Sequence, residues 1–164
     1  GPDDLEALLR SAPAGCDGLR CRPYFAGSGR DRTGRVEGIR LSHTPGHFVR
    51  AVVEGLACEL AQALGKLADV GTSPRRLLMC GAAAMGEVTP RIIANITGLP
   101  VRRHTVGHTS ALGAAVLARA LVEPGISLAR ISEAMAPDAP EVRPDSYRGV
   151  YQALFEEWSR PPAG

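Results

Sequence analysis

A run of small residues, Gly81-Ala82-Ala83-Ala84-Met85-Gly86, is the part of the sequence best suited to hold a charged ligand. It joins an apolar, strand-like segment at 75–80 to a helical pattern that begins near Val88. Backbone N–H groups in such a turn, with the N-terminal end of the next helix, can hold an anion such as a nucleotide phosphate. Small residues also let a strand and a helix pack tightly without a ligand, so the spacing alone leaves both interpretations open.

Two histidines and one glutamate are the other candidates for chemistry. His43 and His47 are four residues apart, which suits two metal ligands on one helix face, but no third ligand is evident nearby. The favoured interpretation is that one caps the helix and one packs on it. Glu54 lies among apolar residues, where a carboxylate needs a partner, and Arg50 stands four residues earlier. This spacing favours a structural ion pair over a general base, and no Ser/His/Asp set has the arrangement of a triad.

A long helix is predicted to carry these residues. Ser42 or Thr44 can cap it, and Pro45 suits its first turn because a proline has no N–H to leave unpaired. Apolar residues then recur at three- and four-residue steps. They predict a core-facing stripe of Val49, Val52, Val53, Leu56, Leu60, Ala63, Leu64 and Leu67.

The rest of the chain alternates strand and helix patterns. Strands are predicted at 18–25, 36–41, 75–80 and 100–106, the third of them buried, with a glycine-rich surface loop at 26–35. Helices are predicted at 4–10, from Val88 to a stop at Gly98, at 111–121, at 127–136 and at 147–158. The alternation from 75 to 121 predicts an α/β domain with helices packed on a sheet.

Some finer expectations concern the second half of the chain. Thr109-Ser110 is predicted to cap the helix at 111–121, whose Gly113-Ala114-Ala115 face would allow close packing on a neighbour. The proline-rich segment 137–144 is expected to wrap the surface. The residues expected on the inner side of the last helix are Tyr147, Val150, Tyr151, Leu154, Phe155 and Trp158.

Composition and charge exclude several classes of protein. The 164 residues are enough for one domain with its own core. The 19 basic and 17 acidic residues are interspersed, which argues against a nucleic-acid or membrane-surface partner. The arginine pairs at 75–76 and 102–103 are predicted to be solvated strand ends rather than phosphate contacts. No apolar run approaches the roughly 20 residues that span a bilayer, and no secretory signal opens the sequence.

The cysteine pattern points to a reduced protein. Four cysteines, none of them in a CxxC pair, predict a cytoplasmic chain without a disulfide or zinc framework. Cys58 and Cys80 are expected to pack as small hydrophobic residues.

Several motifs, in order, resemble one known family. The first begins at Pro23-Tyr24-Phe25, continues through Gly34-x-Val36-x-Gly38-Ile39 and ends at His47-Phe48-x-x-Ala51-Val52-Val53-Glu54. It is similar to the second signature of the FGGY carbohydrate kinases. Gly98-Leu99-Pro100-Val101 and Ala111-Leu112-Gly113-Ala114-Ala115 resemble later motifs of that family. The resemblance covers roughly residues 17–121.

The resemblance implies a fold and an activity. FGGY kinases have two actin-like, ribonuclease-H-like domains around a cleft, and they transfer the γ-phosphoryl group of ATP to a sugar hydroxyl with Mg²⁺. This chain resembles the C-terminal domain, most of all in the xylulokinase group, which implies an α/β fold with a mixed sheet flanked by helices. We expect one nucleotide-side domain over 1–164, with 1–16 an incomplete lead-in and 137–164 a C-terminal wrap and helix.

The turn at 81–86 is similar to the family's Gly-Gly-Gly-Ala-x-Ser/Asn loop, which lies against the nucleotide. The cofactor-binding residues so implied are Gly81, Ala82, Ala83, Ala84 and Gly86. Ala82 and Ala83 replace glycines, which adds methyl groups and restricts positive φ. Gly86 replaces Ser or Asn and so removes a hydrogen bond expected near the adenine, worth about 1 kcal/mol. His108 stands where a glutamate is common, and 27–31 also departs from the family pattern.

No residue matches the family's catalytic aspartate or its Gly-Thr-Ser segment, which lie N-terminal to the start of this sequence. The resemblance therefore implies no catalytic and no metal-binding residue here. We expect a nucleotide-binding domain of a kinase for a pentulose-type sugar, using ATP and Mg²⁺, inactive without the missing N-terminal half. Apolar surface left by that half predicts a homodimer. The alternative hypothesis is a non-catalytic binding or scaffolding domain with a degraded ATP site.

Overall fold

The computed structural model describes residues 2–23, 33–105, 108–136 and 139–160. The helices are α1 (Pro2–Arg10), α2 (Pro45–Asp69), α3 (Ala82–Met85), α4 (Val88–Thr97), α5 (Thr109–Val122), α6 (Leu128–Met135) and α7 (Arg148–Ser159), with a short 3-10 turn at Cys16–Gly18. The strands are β1 (Arg20–Arg22), β2 (Arg35–Glu37), β3 (Leu77–Met79), β4 (Val101–Arg103) and β5 (Glu141–Val142). The predicted α/β class is therefore confirmed.

The described strands form two small sheets. β1 pairs antiparallel with β2, with Cys21 opposite Val36. β4 is central in the second sheet, where it pairs parallel with β3 and antiparallel with β5. The crossover from β3 to β4 runs through α4, as a parallel pair requires. α4 ends where predicted, because Gly98 takes the left-handed conformation (φ +74°) that closes a helix.

The main core lies between α2, α4 and α7. Its buried side chains are Ala57, Cys58, Ile92, Ile96, Tyr151, Leu154 and Trp158. Trp158 also donates a hydrogen bond from Nε1 to the carbonyl of Cys21 at 3.2 Å, which fixes α7 to β1. A smaller cluster of Cys16, Leu19, Cys21 and Ala51 packs under the first sheet.

The predicted apolar stripe is only partly the buried face of α2, because Val52 and Val53 pack against the core clusters but are only partly buried. Leu56 is 50% exposed and Leu67 is 45% exposed, whereas the buried positions are Gly46, His47, Ala51, Glu54, Gly55, Ala57 and Cys58. The buried face consists of small and polar residues because its neighbours approach closely. A Cβ atom on Gly55 would overlap the carbonyl oxygen of Cys21. Close backbone approach, rather than bulky apolar packing, therefore decides which way α2 faces.

Several strand predictions are corrected. β2 ends at Glu37, so 38–41 is not strand. β3 is an edge strand, and Leu78 is 66% exposed, so 75–80 is not a buried strand in this chain. β5 lies in the segment expected only to wrap the surface. Tyr24, Phe25, most of the predicted loop at 26–35, and Val106 lie outside the described residues.

Expectations for α5 and α7 also change. His108, not Thr109-Ser110, precedes the first residue of α5, and the Gly113-Ala114-Ala115 face is exposed with open space at Gly113. Tyr147 and Val150 are about half exposed rather than inside, at 49% and 48%. Tyr151, Leu154 and Trp158 do face the core, as predicted.

Among the described residues, no helix is both long and apolar enough to cross a membrane. All four cysteines are free, and Cys16, Cys21 and Cys58 are buried. Burial raises the pKa of the Cys58 thiol to about 12, which keeps it protonated. Cys80 is exposed, contrary to its expected packing, because β3 is an edge strand.

Candidate functional site

The run of small residues forms a tight turn just after the edge strand β3. Gly81 has φ +79° and ψ −168°, a combination essentially restricted to glycine. Its carbonyl accepts a hydrogen bond from the Ala84 amide at 3.0 Å, and α3 starts at once. Within the described chain, the non-glycine residues with positive φ are Cys16 and Asp17, so Ala82 and Ala83 need no such conformation. The expected backbone restriction at these two alanines therefore does not apply to this turn.

The turn opens on a cavity of about 910 Å³. Ala82, Ala83 and Gly86 line it, together with Leu5 from α1 and Leu56 from α2. The volume and the mainly apolar walls are typical of small-molecule sites, which hold roughly 300–1,000 Å³ and few polar groups. A Cβ atom on Gly81 would meet nothing within 4 Å, so the backbone there is open to a ligand.

Ala84 does not face the cavity, and Arg103 holds it in place. The Ala84 side chain is fully buried. The Arg103 guanidinium donates from Nε to the Ala84 carbonyl at 3.0 Å and from Nη2 to the Met85 carbonyl at 3.1 Å. The prediction of a solvated strand end at 102–103 is thus wrong for Arg103, which ties β4 to the turn.

The carboxylate of Glu6 lies at the other end of the turn. Its Oε1 atom accepts hydrogen bonds from the backbone amides of Glu87 and Val88, both at 3.2 Å. Arg10 lies 2.9 Å from the same oxygen through Nη2. A Cβ atom built on Gly86 would stand 2.5 Å from Glu6 Oε2, so the glycine makes room for this carboxylate.

This contact changes how the turn can bind an anion. The sequence predicts that the helix after the turn contributes its free N-terminal amides. Instead, α3 is a separate helix of four residues, and the first amides of α4 are bonded to Glu6. An anionic ligand is therefore left with the open backbone around Gly81.

Glu54 is the centre of a buried hydrogen-bond network. Its Oε1 atom accepts from Arg50 Nε at 2.9 Å, from the Tyr151 hydroxyl at 3.0 Å and from the Gly15 amide at 3.1 Å. Arg50 also donates to the carbonyls of Leu9 and Ala12, at 2.8 and 2.9 Å. Burial raises the pKa of Glu54, and the Gly15 amide and Arg50 oppose that rise. The predicted structural ion pair is confirmed, and it joins α1, α2 and α7.

The two histidines serve the start of α2. The Thr44 amide donates to His47 Nδ1 at 3.2 Å, and the Arg40 amide donates to His43 Nδ1 at 3.0 Å. His47 Nε2 lies 3.2 Å from Asp17 Oδ2. In the part of the chain that the structure describes, no three His, Cys, Asp or Glu side chains are grouped for a metal ion. His47 therefore helps to cap the helix, as the favoured interpretation has it.

Comparison with known proteins decides the family. Residues 3–121 match the model of the FGGY family of carbohydrate kinases, C-terminal domain. This chain belongs to that family. A relative is the glycerol kinase of Bordetella pertussis, 32% identical over 177 aligned residues, which cover 98% of this chain and 34% of the relative. The chain thus spans about a third of the length of this relative.

Solved structures show the FGGY fold directly. The xylulose kinase from Rhodospirillum rubrum superposes with a TM-score of 0.79 at 30% identity, over 96% of this chain and 32% of that one. The Plasmodium falciparum glycerol kinase with ADP gives a TM-score of 0.79 at 20% identity, over 96% of this chain and 32% of that one, and shows the fold alone. The described chain is therefore a piece of the actin-like ATPase fold that these sugar kinases share.

FGGY membership implies ATP and Mg²⁺, and the turn fits a nucleotide in part. Gly81 offers open backbone, and the cavity beside it has space for a base. The exposed methyl groups of Ala82 and Ala83 narrow the approach. For Mg²⁺, the described residues include no group of three or more His, Cys, Asp or Glu side chains.

Sequence patterns miss the residues that shape this FGGY turn from outside. Glu6 and Arg10 look like an ordinary surface pair on α1, four residues apart. Glu6 meets Glu87 across 81 residues of sequence, and Arg103 meets Ala84 across 19. Gly86 has no side chain, whereas the family has Ser or Asn at this position. This difference is the one sequence signal that another group, here the Glu6 carboxylate, fills the space.

Proposed function

We propose that this chain is the nucleotide-side domain of an ATP-dependent carbohydrate kinase that transfers a phosphoryl group to a sugar hydroxyl. The observation that carries the proposal is the Gly81 turn, which stands at the carboxyl end of the parallel strand β3 and opens on the large cavity. Open α/β sheets bind their ligands at this end of the strands. Gly81, Ala82 and Ala83 would present backbone to the phosphates, and Gly86 would lie beside the base.

The chain's own part in phosphoryl transfer would be positioning. ATP with Mg²⁺ supplies the phosphoryl group and neutralises its charge, while the protein aligns the reactants. The Gly81 turn would hold the phosphates, and Arg103 would keep that turn in place through the Ala84 and Met85 carbonyls. We assign no catalytic residue to this chain.

We further propose that transfer needs a second kinase domain. The chain spans about a third of its relatives, and it exposes large apolar side chains on several elements. Examples are Leu78 of β3 at 66% exposure and Leu121 of α5 at 83%. Such surface is normally covered by a partner. A homodimer on the same surface stays a prediction, and a monodisperse monomer in sedimentation would contradict it.

The acceptor is proposed to be a pentulose, with glycerol as the competing candidate. The Rhodospirillum rubrum xylulose kinase, at 30% identity, supports a pentulose, whereas the Bordetella pertussis relative is a glycerol kinase. The four free cysteines are consistent with a reducing compartment, and we propose the cytoplasm.

Calorimetric titration with ATP and ADP in the presence of Mg²⁺ tests the nucleotide site. We expect binding in the micromolar range, weakened at least tenfold by Gly81→Ala. Gly113→Ala is the matched control, since this glycine lies in open space on α5, and it should bind as the wild type does. Absence of binding would reject the nucleotide-side assignment.

A kinase assay tests the need for a second domain. The chain alone, with ATP, Mg²⁺ and either xylulose or glycerol, should give no turnover. The N-terminal part of a related kinase, added in trans, should restore turnover, and the acceptor that is used then identifies the substrate. Robust turnover by the chain alone would refute this part of the proposal.

The second candidate is a non-catalytic binding or scaffolding domain. This candidate is favoured by the exposed methyl groups of Ala82 and Ala83 and by the absence of a side chain at Gly86, because both change the surface that would meet ATP. The same titration separates the two candidates, since a scaffold with a degraded site would bind neither ATP nor ADP.

A further inference from the structure

The Glu6 carboxylate has one oxygen engaged and one turned toward the candidate site. Oε1 takes the Glu87 and Val88 amides and the Arg10 guanidinium. Oε2 lies at Gly86, 2.5 Å from where a Cβ atom would stand. The Glu6 side chain is 22% exposed, so it is largely enclosed while still lining the cavity. Oε1 is held by the backbone and by Arg10, and Oε2 lies against Gly86, which also lines the cavity.

The charges around the cavity show what this acceptor can receive. The charged residues of its lining are Glu6, Glu87 and Arg10, which leaves one negative charge in excess. Arg10 bonds to Glu87 Oε2 at 2.7 Å, so its charge is already shared between the two carboxylates. A phosphate is repelled by this wall, whereas a neutral N–H donor is attracted to it.

These charges give a bound nucleotide a direction along the turn. The Glu87 and Val88 amides at the start of α4 are not free for phosphate, because Glu6 accepts from both. At the Gly81 end the backbone is open, and among the described residues no carboxylate lies within 4 Å of the Gly81 Cβ position. Phosphates therefore belong at the Gly81 end and the base at the Gly86 end, within the apolar walls.

We infer that Glu6 is a specificity-determining residue that recognises the exocyclic amino group of an adenine base. Oε2 accepts a hydrogen bond from the 6-amino group, and Gly86 is the residue that leaves space for the carboxylate beside the base. The inference rests on the proposed function and adds to it the choice of base. Adenine nucleotides are thus preferred over purine nucleotides that lack the amino group.

The test compares ATP with purine riboside 5′-triphosphate, which lacks only the 6-amino group, by calorimetric titration of the full chain. The wild type should bind ATP about tenfold more tightly, the effect expected of a hydrogen bond to a charged, partly exposed acceptor. In Glu6→Gln, one amide oxygen can keep the backbone contacts while the acceptor at Oε2 becomes an N–H donor. The ratio of the two affinities should then fall to near one.

Glu87→Gln is the matched control, because it removes the same charge from the same cavity wall at a carboxylate that pairs with Arg10. It should change both affinities together and leave their ratio near tenfold. The wild-type comparison uses no variant, so equal binding of the two nucleotides would reject the inference even if Glu6→Gln fails to fold.

The outcomes separate this inference from the proposed function. Binding of neither nucleotide rejects both. Equal binding of the two nucleotides by the wild type, or an unchanged ratio in Glu6→Gln, rejects the role of Glu6 and leaves the nucleotide site standing. If the ratio of the two affinities also fell to near one in Glu87→Gln, the preference would come from the charge of the cavity wall. That outcome would reject the role of Glu6 as well.

Discussion

Two regions of this chain differ in how their polar groups are bonded and exposed. Around Glu54, the carboxylate, the Arg50 guanidinium and the Tyr151 hydroxyl bond to each other and to backbone atoms within 3.1 Å. Around the 81–86 turn, polar contacts such as that of Glu6 lie at the rim of a large cavity. Glu54 is 2% exposed and bonded to its neighbours, whereas the 81–86 turn is open to the cavity.

The difference separates stability from function. The Glu54 network connects α1, α2 and α7, and the oxygen at its centre accepts three hydrogen bonds from the protein, so it acts as a structural brace. The turn region keeps exposed apolar groups, such as Leu78 and Met85, at 66% and 49%. Surface of this kind contributes little to the stability of the chain itself and is available to a ligand or a partner domain.

Glu54→Ala should have the largest effect on stability. Removal of one partner leaves the Arg50 charge buried, and we expect the free energy of unfolding to fall by about 3–5 kcal/mol. Urea unfolding followed by circular dichroism measures it. Glu133→Ala, on the exposed surface of α6, is the control and should stay within about 0.5 kcal/mol of the wild type. A loss below 1 kcal/mol for Glu54→Ala would show that the network is not a brace.

A pair of apolar truncations compares the two regions directly. Ile92→Ala, at 1% exposure in the core, should lower the free energy of unfolding by about 2–5 kcal/mol because it leaves a cavity. Leu78→Ala, on the edge strand beside the turn, should change it by less than about 0.5 kcal/mol. Thermal and urea unfolding of both variants measure the difference. Similar losses would mean that β3 is covered in solution.

Local signals in the sequence predict the parts of the fold that depend on local geometry. The end of α4 at Gly98 follows from a glycine after the last apolar residue, and the ion pair of Arg50 with Glu54 follows from their spacing on one helix. The family motifs predict the fold class and the turn at 81–86. The helix end and the ion pair are each decided by residues a few positions apart.

Contacts between distant segments decide the parts that the sequence does not predict. The stripe on α2 is only partly buried because Gly55 packs against the Cys21 carbonyl, so small residues rather than leucines take the most buried positions. β5 has two residues, too few for a pattern, and exists because β4 offers it a free edge. The role of Glu6 depends on Gly86, eighty positions away in the sequence.

Gly81→Ala gives a smaller effect that links the two regions. Forcing a Cβ atom into φ +79°, ψ −168° should cost about 1–3 kcal/mol, or else the turn rearranges. In either case ATP affinity should fall while the far-ultraviolet circular dichroism is kept, because the Glu54 network is unaffected. Gly113→Ala, in the middle of α5, should instead gain about 0.5–1 kcal/mol. Unchanged ATP affinity in Gly81→Ala would exclude the turn as the phosphate site.

The smallest expected effect is the pH dependence that Glu54 gives to folding. Burial raises the pKa of Glu54 above the unfolded value of about 4.3. Folding therefore takes up a proton between these two values, and the free energy of unfolding falls as pH rises through the folded pKa. Relative to Glu54→Gln, the wild type should lose at most about 1.4 kcal/mol of unfolding free energy per pH unit in that window, and the loss should level off above it.

Urea midpoints of both proteins from pH 4.5 to 8 measure the difference. The same series in 0.5 M NaCl is the control, since salt screens surface charges far more than a buried pair. A wild-type advantage that grows with pH would mean that Arg50 and the Gly15 amide outweigh burial, and that the network is a net attraction for the charged form.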